Sequence, residues 1–187
     1  MKFTRSLAAF AVVFCSISVQ SESQSVSGSL AVTPGAVARL NFRIIVPKVL
    51  YLRVGSGVDF ANTPTVDEVL FTVPPGDAST PGTIVNGVGS AGAITARIYG
   101  NGGNVTLRNV GSGSGLVGGA NTIPWSQILP NLIAGTLANP PINSSRTVAA
   151  VGRMVNESAT WGFRYDNTPV AAEGDYRGQV TYTATML

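Results

Sequence analysis

Along the last fourteen residues, Gly174 to Leu187, apolar and polar positions alternate with almost no error. Tyr176, Val180, Tyr182, Ala184 and Met186 fall on one side, and Asp175, Arg177, Gln179, Thr181, Thr183 and Thr185 on the other. Period-two alternation rich in Thr, Val and Tyr predicts a strand with one buried and one wet face, entered through a Gly174-Asp175 turn. The same grammar opens the chain. Residues 25–33 alternate on Val26, Leu30 and Val32, with Gly28 in the remaining inward slot, and Pro34-Gly35 ends the run. Residues 37–46 predict a longer strand, with Ala38, Leu40, Phe42, Ile44 and Val46 inward and Arg39, Asn41 and Arg43 outward. Pro47 interrupts, because it cannot donate to a ladder, and residues 49–54 resume with Leu50, Leu52 and Val54 on one face.

Further strands are predicted at 68–73, 93–99, 104–109, 147–155, 159–165 and 176–186. Turn chemistry separates them at Pro74-Pro75-Gly76-Asp77, Asn101-Gly102-Gly103-Asn104 and Asn156-Glu157-Ser158. The residues 126–138 have room for a short helix, limited by Pro130. The low-complexity run 111–119 reads as a flexible surface loop; a dinucleotide-binding loop needs a helix after it, and Asn121-Thr122-Ile123-Pro124-Trp125 is not a helix start. About eight to ten strands punctuated by Gly, Pro and Asn predict an all-β antiparallel sandwich.

The first residues change the picture of where this sandwich works. Lys2 and Arg5 precede an apolar stretch from Leu7 to Val19, and Ser21 and Ser23 follow, the layout of a secretory signal peptide over residues 1–21. The stretch is shorter than the ~20 residues of a membrane span, and no later stretch is long enough for one. Phe14 stands where a small residue precedes a lipidated cysteine, so Cys15 reads as an ordinary leader residue. Removal of the leader leaves a chain of one-domain size with no cysteine, large enough to hold a core without disulfides. Of twelve Lys and Arg, two lie in the leader, leaving ten against nine Asp and Glu. With no basic cluster, nucleic acid is not an expected partner.

Candidate chemistry is sparse. The chain has no histidine, which removes the commonest general base and metal ligand, and the absence of cysteine past the leader removes thiolate nucleophiles and structural zinc. Carboxylates remain, and the candidates for a glycosidase-like pair, Asp67-Glu68, Asp166, Glu173 and Asp175, sit beside turn residues where acids cap and solubilise, with no calcium-loop spacing to join them. The residues therefore predict no enzyme, no metal site and no cofactor. Trp161 leads an alternation with Phe163 and Tyr165 and belongs to the core. Trp125 either covers a core edge or serves as a surface-binding aromatic for carbohydrate.

The leader, the short alternating strand at the mature N-terminus, the sandwich body and the closing Gly174-x-Tyr176-x-Gly178-x-Val180 strand together resemble pilin subunits of chaperone–usher fimbriae. The likeness is nearest to the cysteine-free colonisation-factor type and rests on residues 24–46 and 159–187. The chain departs from type 1 pilins in lacking their disulfide and penultimate Tyr, ending Thr185-Met186-Leu187. The resemblance implies an incomplete immunoglobulin-like sandwich over 36–187, completed by a neighbour's N-terminal strand from residues 22–35. It further implies that Val26, Gly28, Leu30 and Val32 are donor-strand contacts, and that the subunit meets a periplasmic chaperone and an outer-membrane usher on the way to the cell surface as a head-to-tail polymer. The alternatives from the residues alone are a strand paired within its own chain, a secreted carbohydrate-binding or adhesin-like module, and a coat or matrix protein.

Overall fold

The computed structural model describes residues 23, 25, 27, 36–88 and 93–186. The chain divides into two units, Met1–Val46 and Pro47–Leu187.

In the first unit, residues 36–46 belong to no strand. Leu40 is 76% exposed, and Phe42 and Ile44 are 86% exposed. The expectation of an inward-facing strand at 37–46 is overturned, and the reason is physical. An alternating apolar face is buried only against a second apolar surface, and these side chains stay exposed. Val26, Gly28, Leu30 and Val32 lie outside the described residues.

The second unit is antiparallel throughout and contains no α-helix among the described residues. Ten strands follow in chain order: β1 (Leu50–Val54), β2 (Ile84–Asn86), β3 (Ile94–Gly100), β4 (Val105–Gly111), β5 (Gly115–Gly118), β6 (Asn121–Pro124), β7 (Ile128–Gly135), β8 (Ser145–Val148), β9 (Val155–Asp166) and β10 (Val180–Met186). One sheet is built on β9. Its 155–161 half pairs β3 and its 164–166 end pairs β2 on one flank, while β7 pairs 159–165 on the other. β1 closes the β3 side as an edge strand. The second sheet has the order β10-β4-β8, and β5 and β6 form a separate hairpin.

The fold is that of a β-sandwich, with inward positions of both sheets forming the core. Ile94, Ala96 and Ile98 of β3 meet Val105 and Leu107 of β4 and Val155, Trp161, Phe163 and Tyr165 of β9, all buried. The alternation at Trp161, Phe163 and Tyr165 thus lies in the core as the sequence predicts. The segment after β7 folds inward: Leu137 is buried, and its carbonyl accepts the Trp161 indole N–H at 2.6 Å.

Local corrections follow from pairing. The helix expected within 126–138 is a single 3₁₀ turn, Trp125–Gln127, followed by β7, because this segment finds β9 as a partner. The glycine-rich run is an ordered hairpin, with Leu116 opposite Ile123. Asn156–Ser158 is not a turn but the beginning of β9, paired to β3. Residues 68–73 form no strand, although Leu70 bridges Val88. Gly174 to Gln179 precede β10 instead of extending it, with Arg177 bridging Val117.

Candidate functional site

Trp125 is 6% exposed. Its slot is made by two glycines: a side chain at Gly111 would meet the indole at 2.3 Å and one at Gly178 would meet it at 2.8 Å. The indole N–H donates to the Ser112 carbonyl at 3.1 Å. A ring held this way covers the core edge, the first of the two readings of Trp125, and offers no face to a sugar, against the reading as a surface-binding aromatic.

Two of the candidate carboxylates, Asp67 and Asp175, are engaged locally. Asp67 accepts from the Ser56 backbone N–H and hydroxyl, each at 2.7 Å, and ties the loop after β1. Asp175 pairs with Arg177 at 2.7 Å in open solvent, and the Arg177 hydrogen bond holds its carboxyl below the usual range. Asp166 lies at the end of β9, where the Gln127 side chain donates to its backbone carbonyl at 2.8 Å, while its carboxylate Oδ1 is buried without a hydrogen-bond partner among the described residues. Among the described residues, no group of three His, Cys, Asp or Glu stands close enough to hold a metal ion.

An ion cluster that sequence reasoning missed lies on the outer face of β1 and β3. Register places Tyr51 opposite Tyr99 and Arg53 opposite Arg97. Asp59 comes over this face and pairs with Arg53 at 2.9 Å and with Arg97. Phe60 stacks beside Tyr51 and Tyr99, with ring centroids at 4.7 and 5.5 Å, and the Arg97 guanidinium lies 5.4 Å from its centroid. The loop is thereby pinned, and between its 57–65 part and β1 runs a cavity of about 380 Å³. Only the alternation Tyr51/Arg53 and Arg97/Tyr99 hints at this cluster in the sequence; the register that joins the pairs is not visible there.

The site with the most unmet demand is the flank between β1 and β10. Among the described residues, each is an edge strand with a ladder on one side only. They approach at one end, where Leu50 and Met186 both border Gly100. β10 puts Val180, Tyr182, Ala184 and Met186 on its inner side, yet each remains only half-buried. On the neighbouring β4, the inward Val105, Leu107 and Asn109 are fully buried. β1 shows the same deficit at Leu52 and Val54, beside the buried Ala96 and Ile98 of β3. The opposite flank differs, because the 136–144 segment crosses there and buries Leu137.

Beneath this flank the core is well fastened. Tyr182 lies against Trp161 with centroids 5.3 Å apart, and its hydroxyl exchanges hydrogen bonds with the Asn139 amide at 3.1 and 3.3 Å. Burial raises the Tyr182 hydroxyl above its ordinary value, and the bonds to Asn139 and Asn109 offset part of that rise. Among the described residues, the arrangement is a pair of backbone edges without a further ladder over a partly covered apolar floor. Comparison with protein-family models, with curated proteins and with solved structures found no match to this chain.

Proposed function

We propose that this chain is an exported structural subunit of a bacterial surface fibre, assembled by addition of a strand from one subunit to the sandwich of the next. The observation that carries this reading is the contrast between half-buried inner side chains on β10 and fully buried ones on β4, on a flank where both sheets end in open edges. An added strand completes the backbone ladder and covers the apolar floor, each fully buried aliphatic side chain being worth ~1.5–3 kcal/mol. The contact is head-to-tail, so it propagates into a filament instead of closing into a dimer. The leader, the cysteine-free body and the closing strand of the pilin resemblance agree with it, and a periplasmic chaperone and usher are the partners it implies. The carbohydrate-binding alternative is weakened because its aromatic, Trp125, is buried.

The test is negative-stain microscopy of the purified mature chain, with size-exclusion chromatography alongside. Unbranched fibres of uniform width are expected. A chain that stays monomeric at every concentration, with and without refolding, overturns the reading.

A further inference from the structure

The strand given to the neighbour can be assigned within this chain. We propose that residues 38–46 form it, entering the flank between β1 and β10 of a second copy with Leu40, Phe42, Ile44 and Val46 seated between the two sheets. This rests on the fibre reading above and replaces residues 25–33 as the donor.

Several observations converge. Leu40, Phe42, Ile44 and Val46 are 74–86% exposed in a segment that joins no sheet, while the sandwich has an apolar floor left half-covered. The dimensions agree: these four alternate positions span seven residues, and β10 presents four alternate inward side chains over its own seven. Opposite them, Arg39, Asn41 and Arg43 share a face with Ile45, as the exposed Thr181, Thr183 and Thr185 of β10 share one, so the register leaves polar groups on the wet side except at Ile45. Residues 25–33 offer Val26, Gly28, Leu30 and Val32, a smaller apolar payload with a glycine that weakens a strand.

The connection to β1 favours a second copy as the receiver. The Asn101 side chain accepts from the Val49 N–H and donates to the Pro47 carbonyl, both at 2.8 Å, and the Asn101 N–H donates to the Val49 carbonyl at 3.3 Å. These bonds carry the β1–β3 pairing past Gly100, so Pro47–Val49 runs on in line with β1 and makes no turn back along its free edge.

Charge placed in the segment tests the assignment in the full mature chain. Phe42→Asp and Ile44→Asp are expected to abolish fibres while leaving circular dichroism unchanged, and Leu30→Asp to leave fibres intact. Fibres from Phe42→Asp and Ile44→Asp but not from Leu30→Asp overturn the assignment while strand exchange itself stands. A wild-type chain that never polymerises removes both. Cross-linking gives a second readout if a charged variant misfolds. The mature chain has no cysteine of its own, so Phe42→Cys, Ile44→Cys and Val46→Cys chains can each be mixed with Ala184→Cys chains under mild oxidation. At least one mixture is expected to yield tenfold more disulfide-linked dimer than the same mixture made with Leu30→Cys. No excess from any of the three, or closure within a single chain carrying both cysteines regardless of dilution, overturns the proposal.

Discussion

Tyr182 joins two parts of the structure through one side chain, its ring on Trp161 and its hydroxyl on Asn139. Burial favours the neutral hydroxyl, so its folded pKa lies above the ordinary 10.0. The stability linked to this group is complete below that value and is lost as pH rises through the folded pKa. Tyr165 is raised too, first by burial and then by Tyr176 and Asp166, and acts in the same direction. Denaturation midpoints are therefore expected to fall above pH 10, and Tyr182→Phe to remove part of that fall while leaving the Tyr165 share. A Tyr182→Phe midpoint with the wild-type alkaline slope contradicts the assignment. Gly111 makes the complementary case for space. Gly111→Val pushes on the Trp125 indole and is expected to cost ~1–3 kcal/mol, with the tryptophan emission shifting to the red as the ring moves toward water. Chemical denaturation followed by fluorescence checks both. At this scale Trp161, Phe163 and Tyr165 were readable because alternation places them without knowledge of a partner. For Trp125 the sequence left core edge and surface both open, because its slot is made by Gly111 and Gly178, remote in sequence and indistinguishable there from turn glycines.

For elements, alternation located β1, β3, β4, β9 and β10 to within a few residues, since a strand with one buried face writes its period into the chain. It failed where the partner decides. Residues 128–135 hold Ile128, Leu129, Leu132 and Ile133, a spacing that serves a helix or a strand, and Pro130 by itself only limits the length of a helix. β7 is an edge strand, where a proline lacking its N–H is tolerated. The run 111–119 reads as a loop by composition, yet β5 pairs with β6 because the short Leu116-Val117 stretch finds Ile123 and Thr122 opposite. The flank between β1 and β10 has no local sign at all, being defined by what neither sheet supplies. The fastening of the chain ahead of β1 yields an element-scale prediction. Asn101→Ala removes both side-chain bonds to Pro47 and Val49, so the Val49 amide is expected to exchange with solvent faster while the β9 amides keep their protection. Hydrogen exchange measured residue by residue decides it, and unchanged Val49 protection counts against the role given to Asn101.

The whole molecule carries its charge in near balance and its apolar surface in an imbalance between a half-covered flank and an exposed segment. A partner that binds only the folded state raises stability by mass action, so assembly and folding are linked. Calorimetry of the mature chain is expected to show a melting temperature that rises with assembly, with monomers of Phe42→Asp melting lower and independently of concentration. Equal melting of the two contradicts a completed sandwich in the fibre.

The bonds from Asn101 to Pro47 and Val49 also have a mechanical meaning. Tension arriving at Val46 is passed lengthwise into β1, whose ladder with β3 then resists in shear, many bonds sharing the load together. A load applied across the same strand would part those bonds singly, like a zip. A fibre assembled as proposed and strung through this junction would yield late under drag, with its weakest point elsewhere than at the root of the first strand.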